Sequence, residues 1–254
     1  LALTGAGSIA GSSVVQDDGT FDISGTTAAG SSIQSLSGNG IVNLGVKTLT
    51  LTGAAHTFGG SINGSGGLTL TGGSETLTGV NGYTGVTRVD AGDLSLKDGG
   101  QVTNASTLSI AGAAASNAAV TISGQGSQYT GGSPVAIADG AGATGTLSVV
   151  DGGVVTVVGG FSLANGAGAT ATVNVTGSGS SFTANGVGYV RGHSVINVTD
   201  GGYLFDVGTV FGAAADAPIV VSDPGSRWDS RLTIGFSAGS QAILNGGVLT
   251  APTL

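Results

Sequence analysis

Short apolar pairs alternate with polar residues along most of the chain, and clusters of small residues separate them. Residues 135–153 read VAIADGAGATGTLSVVDGG, which is an alternating pair, a turn, a second pair and a further turn. The same order recurs at residues 161–179, 188–202 and 232–247. Because strict alternation is typical of half-buried strands, the pattern predicts an all-β chain of strands and turns.

Equivalent apolar positions recur at a nearly constant step. Leu163 follows Ile137 by 26 residues, Val198 follows Val175 by 23, and Ile243 follows Val198 by 45, which we interpret as two steps. A strand-and-turn repeat of this length predicts a solenoid. Coils of this size give a rod of roughly 10–11 coils, about 50 Å long at the spacing of neighbouring strands.

The alternation also predicts which side chains face the interior and stack on their equivalents in the next coil. Gly and Asn at the corners supply the left-handed conformations that sharp turns require. The clearest inward pairs are Leu147 with Val149, Val173 with Val175, and Ile196 with Val198.

A second, longer repeat is superimposed on the first. Tyr129, Phe182 and Trp228 each come two residues after a Gly-Ser pair, at intervals of 53 and 46 residues. Two coils therefore form one higher repeat. A β-propeller of the Kelch type, with blades of about 50 residues, is the alternative architecture. The resemblance between the half-period copies favours the solenoid.

Residues 67–96, GLTLTGGSETLTGVNGYTGVTRVDAGDLSL, carry the most specific pattern. This stretch resembles the autotransporter-associated β-strand repeat, although Val86 and Arg88 stand where small or hydroxyl residues are common. The matching positions are Gly67, Leu68, Leu70, Gly72, Leu77, Gly79, Asn81, Tyr83, Gly85, Thr87, Val89, Gly92, Leu94 and Leu96.

The resemblance implies a right-handed parallel β-helix from the passenger of an autotransporter. Such a passenger is exported through an outer-membrane β-barrel, displayed on the bacterial cell surface, and acts in adhesion to host or bacterial receptors or in self-association. The barrel would belong to the parent chain. We divide the solenoid into residues 1–112, which are less regular and include the repeat at 67–96, and residues 113–254, which are regular.

Composition narrows the function further. The 254 residues include 51 Gly, no Cys and no Met, with a net charge of −8. Absence of Cys excludes disulfides and thiolate metal sites, and absence of an initiator Met predicts a piece of a longer, processed polypeptide. An acidic chain without basic clusters is a poor nucleic-acid binder. No apolar run reaches the ~20 residues that span a membrane.

Two glycine motifs imitate catalytic or nucleotide sites. Residues 235–239 match the G-x-S-x-G nucleophile elbow, but no helix pattern and no His follow Ser237. Residues 140–145 match G-x-G-x-x-G, again without the helix whose N-terminus would bind a phosphate. We interpret both as corners of the repeat.

The isolated ionisable residues are weak candidates. His56 and His193 each lack a second His at ligand spacing. Asp90, Asp93 and Asp98 are the densest acids and would suit a glycosidase only if two of them flanked a bond. We therefore predict no catalytic residue, no cofactor and no metal, with a β-helical polysaccharide-degrading enzyme and a pure spacer as the alternatives.

Arg227, Trp228 and Arg231 are the weak candidates for a binding surface, since Trp and Arg are frequent binding hot spots. Trp228, however, aligns with Phe182 and Tyr129, which favours a packing role.

Overall fold

The computed structural model describes residues 1–132, 134–212, 217–235 and 241–252. Among these residues every element is a β-strand and there is no helix. The strands are β1 (Ala2–Gly5), β2 (Val15–Gln16), β3 (Thr20–Thr26), β4 (Gly30–Ile33), β5 (Leu36–Ser37), β6 (Ile41–Gly45), β7 (Thr48–Leu51), β8 (Thr57–Phe58), β9 (Ser61–Gly64), β10 (Leu68–Leu70), β11 (Ser74–Leu77), β12 (Val80–Asn81), β13 (Thr87–Val89), β14 (Ala91–Leu96), β15 (Gln101–Ala105), β16 (Leu108–Ile110), β17 (Asn117–Ser123), β18 (Gln128–Gly131), β19 (Val135–Ile137), β20 (Thr144–Val150), β21 (Val154–Val157), β22 (Phe161–Leu163), β23 (Thr170–Thr176), β24 (Ser181–Ala184), β25 (Val187–Val190), β26 (His193–Thr199), β27 (Tyr203–Asp206), β28 (Gly208–Phe211), β29 (Pro218–Ser222), β30 (Arg227–Ser230), β31 (Ile234–Gly235), β32 (Gln241–Asn245) and β33 (Val248–Thr250).

Three long parallel sheets run along the molecule, and each regular coil adds one strand to each sheet. Sheet I has ten strands from β4 to β31, sheet II has nine from β8 to β32, and sheet III has eight from β12 to β33. A four-stranded sheet (β1, β3, β6 and β9) and the pair β2–β5 complete the first coils. The fold is therefore a parallel β-solenoid of about ten turns, not a propeller, whose blades are separate four-stranded sheets.

The strand register confirms most of the predicted repeat. Ile137 pairs with Leu163, and Val175 pairs with Val198. Two coils after Val198, however, the equivalent residue is Leu244, because Val198 pairs with Val221 and Val221 with Leu244. The predicted equivalence with Ile243 was wrong by one residue. Both residues of this pair are apolar, so the sequence does not mark which one occupies the inward column.

The core is one continuous column of inward side chains from Leu3 to Ile234. The three predicted pairs at 147 and 149, 173 and 175, and 196 and 198 are all buried in it. Coils add residues without breaking the column: the step is 19 residues from Leu49 to Leu68 and 27 from Val120 to Leu147. The extra residues lie in the corners, because the strand registers are maintained.

The corners between sheets II and III alternate between two turn types. One type is Asp-Gly-Gly, at residues 98–100, 151–153 and 200–202. The other ends in Gly-Ser, at residues 124–127, 177–180 and 223–226. The first residue of each turn type has a positive φ. In the Asp-Gly-Gly type, Asp151 has φ 54°, and in the type that ends in Gly-Ser, Gly177 has φ 94°.

These two turn types interlock, which gives the two-coil repeat a physical cause. The Ser hydroxyl that closes the second type is buried and accepts a hydrogen bond from a backbone N–H of the Asp-Gly-Gly turn one coil earlier. The pairs are Gly99 with Ser127 at 3.1 Å, Gly152 with Ser180 at 2.9 Å, and Gly201 with Ser226 at 3.0 Å. The Asp-Gly-Gly turn therefore finds the acceptor for this amide in a Gly-Ser turn one coil later.

Candidate binding surface

The polar residues of the 67–96 pattern lie inside the solenoid. The Oδ1 atom of Asn81 accepts a hydrogen bond from the Ile62 amide at 3.0 Å, and its Nδ2 atom donates to the carbonyls of Gly79 and Gln101, each at 3.0 Å. Asn81 therefore joins three successive coils. It is fully buried, so its role is to satisfy backbone groups inside the core.

Tyr83 and Thr87 form a second buried polar contact in the same pattern. The Tyr83 hydroxyl lies 2.7 Å from Thr87 Oγ1, and both side chains are fully buried. Burial raises the pKa of Tyr83, and Thr87 opposes the shift only in part. The most recognisable residues of the chain thus contact its interior rather than a ligand.

The two glycine motifs differ in what the structure describes. Strand β20 begins at Thr144, inside the motif at 140–145, so this segment is a corner that leads into a strand and no helix N-terminus is formed. A Cβ on Gly140 would lie 1.9 Å from the Ala113 carbonyl oxygen, and a Cβ on Gly166, one coil later, would lie 2.0 Å from the Gly140 carbonyl oxygen, so both positions need Gly. In the motif at 235–239 only Gly235 is described; Ser237 lies outside the described residues.

The isolated His and Asp residues stay apart. His56 is exposed, with Nδ1 2.7 Å from Ser35 Oγ, and His193 begins strand β26 on sheet II. Asp90 pairs with the Arg88 guanidinium at 2.6 Å. Across the described ranges, no group of three His, Cys, Asp or Glu side chains is arranged to hold a metal ion.

Asp93 and Asp98 also occupy separate positions around the coil. Asp93 lies on strand β14, where it accepts a hydrogen bond from Ser74 Oγ at 3.1 Å. Asp98 is the left-handed residue of a corner, with φ 53°.

Glu75 is a buried ionisable residue that the sequence interpretation missed. It is fully buried, and neither carboxylate oxygen has a hydrogen-bond partner of normal geometry. Burial raises the pKa of Glu75 to about 8, although the Leu36 amide and the Ser35 hydroxyl lie close enough to oppose the shift. The signal was present, since Glu75 pairs with Leu94 and so stands in an inward column.

A second buried carboxyl lies in the later coils. Asp206 is fully buried and accepts a hydrogen bond from the Thr209 hydroxyl. Burial raises the pKa of Asp206, while Ser230, Thr209 and the Trp228 indole oppose the shift. This cluster is internal and presents nothing to solvent.

The three predicted binding candidates separate in the structure. Trp228 is fully buried in the inward column of sheet III, two coils after Phe182 and four after Tyr129. Arg227 and Arg231 are exposed. The indole therefore fills a packing position, and only the two arginines remain on the surface.

The outward faces of the later coils hold a set of aromatic residues that sequence reasoning did not single out. Eleven of the chain's 12 aromatic residues are described, and eight of them are buried in the core. The three that face outward are Tyr189, Tyr203 and Phe205. These residues could have been found from the sequence because they occupy the outward positions of the alternating pattern, which a search for individual motifs does not consider.

Two of these rings lie on sheet III beside an ion pair. Tyr203 and Phe205 alternate with inward residues on β27 and pair in register with Arg227 and Asp229 on β30. Arg227 Nε lies 2.5 Å from Asp229 Oδ2. Burial and the Asp229 carboxylate raise the pKa of Tyr203. We name these four residues the aromatic–arginine surface.

The third outward ring lies on sheet I. The Arg191 guanidinium lies over the Tyr189 ring, 5.2 Å from its centroid, and Tyr189 pairs in register with exposed Val210. On the same outward column, the preceding coils carry Ser109, Ala136 and Ser162.

No protein-family model, no curated protein and no solved structure matches this chain. Among the described residues, no helix is long and apolar enough to cross a membrane.

Proposed function

We propose that this chain is a segment of an autotransporter passenger, displayed on the bacterial cell surface after export through the outer membrane. In this proposal it acts in adhesion or cell–cell self-association, as a rigid stalk or binding rod. Its partners are a host-cell or bacterial-surface receptor or a second copy of the chain. The parent chain would supply the outer-membrane barrel.

The observation that carries the proposal is the agreement between the 67–96 pattern and its place in the solenoid. Asn81, Tyr83 and Thr87 are the polar residues of that pattern, and all three are buried. Asn81 bonds to the coils on both sides, and Tyr83 bonds to Thr87 within its own coil. A pattern that marks stacking of parallel coils is the one expected of a passenger rod. The continuous core supports the stalk role. Because each coil of a solenoid contacts only its neighbours, coils can be added along the axis without changing how they pack.

The polysaccharide-degrading alternative has less support. A glycosidase needs two carboxyls about 5–9.5 Å apart across one bond. Asp90 is held by Arg88, Asp93 lies on sheet II, and Asp98 forms a corner. No observation favours this activity over adhesion.

The test is to display the chain on a non-adherent bacterium through a heterologous outer-membrane barrel. We expect more binding to host cells, or faster clumping of the bacteria, than with the barrel alone. Surface labelling at equal density provides the control for display. Display without any gain in adhesion or clumping would contradict the proposal and favour a pure spacer.

A further inference from the structure

Aromatic side chains are distributed unevenly between the inside and the outside of the solenoid. Eight of the eleven described aromatics are in the core, and the three outward ones fall within residues 189–205. Of the six Lys and Arg residues, Arg191 lies in this stretch, and Arg227 and Arg231 lie on or just after strand β30, one coil later. Tyr, Phe and Arg are the residues most enriched in binding surfaces relative to other surface.

Earlier coils provide an internal comparison for the aromatic–arginine surface. The outward column that holds Tyr203 carries Gln128, Val154 and Ser181 in the three preceding coils. The column that holds Phe205 carries Thr130, Thr156 and Thr183 in the same coils. The backbone is the same in each coil, so packing of the coil does not require rings at these outward positions.

We infer that the aromatic–arginine surface, Tyr203, Phe205, Arg227 and Asp229, binds a short neutral oligosaccharide. The two side chains lie on one face of strand β27, and their Cα atoms are about 7 Å apart because two residues along a strand span that distance. Among the described residues no pocket is formed, so the ligand would lie across the two rings on an open sheet face. The apolar face of a sugar ring can stack on them, while its hydroxyls both donate and accept hydrogen bonds.

The charges of the surface favour a neutral ligand. The Arg227 guanidinium is compensated by Asp229 at 2.5 Å, so the pair has no net charge. Arginine has five N–H donors, and only Nε is used in this contact. The remaining N–H donors of Arg227 and the hydroxyl of Tyr203 can form hydrogen bonds with the hydroxyl groups of a sugar. The net charge of −8 disfavours anionic ligands.

The geometry disfavours the two macromolecular alternatives. Strand β27 is hydrogen-bonded to β24 on one side and β30 on the other, so it offers no free edge to an extended peptide. Each aromatic side chain has about 150–250 Å² in total, and both rings are only partly exposed. Their area is well below the roughly 800 Å² that each partner contributes to a stable protein interface.

The test measures binding of the purified chain to lactose, maltotriose, cellotriose and mannotriose by calorimetry and by changes in the aromatic NMR signals. We expect at least one of these sugars to bind. Tyr203→Ala and Phe205→Ala should each weaken binding about tenfold or more, and Phe205→Tyr should keep it. The matched controls are Gln128→Ala and Thr130→Ala, which alter the same two columns three coils earlier. Unchanged circular dichroism and melting of the variants establish that they fold.

Two results would overturn the inference: no binding to any of these sugars at millimolar concentration, or binding that Tyr203→Ala and Phe205→Ala leave unchanged. Binding only to an anionic polymer such as polygalacturonate would also contradict it. The inference names a ligand class for the proposed adhesion. The biological role of the site rests on the proposed function, whereas sugar binding itself does not. Sugar binding without cellular adhesion would remove the proposed function and leave this site, whereas cellular adhesion by a chain that binds none of these sugars would do the reverse.

Discussion

The coils of residues 48–96 and those of residues 117–199 have the same architecture but use their interiors differently. In the earlier coils, the strands are short, with two to six residues. Their inward positions include the polar residues Glu75, Asn81 and Thr87. In the later coils, sheet II is built from four seven-residue strands paired in register along their whole length. Their two central inward columns contain only Leu, Val and Ile.

This difference explains why the earlier region carries the more specific residue pattern in the sequence. A buried polar group needs a specific partner at a specific place, so Asn81 cannot be exchanged freely. An inward apolar column tolerates any aliphatic residue of similar size, and Leu147, Val173 and Ile196 succeed one another at one position. The region with the more regular structure therefore has the less specific sequence.

The largest effect is expected for Trp228, which lies in the inward column of sheet III that continues from the later coils through Phe182 and Leu204. Trp228→Ala should destabilise the chain by about 3–5 kcal/mol, because it leaves a cavity in a fully buried site. Since contacts in a solenoid are nearest-neighbour, we expect a lower or split melting transition with the C-terminal coils unfolding first. Calorimetry measures this, and sugar binding and adhesion by the folded variant provide the functional comparison. Unchanged melting with lost binding would show that the indole is functional instead.

In the earlier region, Glu75→Leu should stabilise the protein in a pH-dependent way. The folded pKa of Glu75 is raised from 4.5 to about 8, so the folded state binds more protons than the unfolded state between these values. Stability contributed by this group is therefore present at low pH and lost as the pH rises. The wild type should lose about 2–3 kcal/mol between pH 5 and pH 7 from this group.

Urea unfolding of the wild type and Glu75→Leu at both pH values tests this expectation. Leucine fits the column, since the paired residue one coil later is Leu94. The difference between the two proteins should widen from pH 5 to pH 7. Parallel pH profiles would mean that Glu75 ionises normally and that its site admits water.

The smallest effect concerns the interlocked corners. Ser180→Ala should cost about 1–2 kcal/mol, because it leaves the buried Gly152 amide without its acceptor. The neighbouring Ser178→Ala is the matched control, as that side chain is exposed in the same turn. Urea unfolding compares the two, and equal stabilities would contradict the interlock.

Much of the fold could be predicted from the sequence because its signals are local. Alternation identifies strands, and the constant step identifies stacked coils, so the solenoid and the inward pairs were predicted correctly. The register failed at Ile243, where two adjacent apolar residues left the phase undetermined. The binding candidates were chosen by residue type alone, and this selected buried Trp228 together with the exposed Arg227 and Arg231.

By itself, the sequence determined the strand content, the coil repeat and the apolar interior, because each depends on residues close in the chain or on a fixed period. Only the tertiary structure decided contacts between coils, where residues some 20 to 28 positions apart meet. These include the Ser180–Gly152 interlock, the unpartnered Glu75 carboxyl, and the arrangement of Tyr203 and Phe205 beside Arg227 and Asp229. The physical reason is that corner lengths differ from coil to coil while the strand registers are kept, so spacing in the sequence does not fix which residues meet in the next coil.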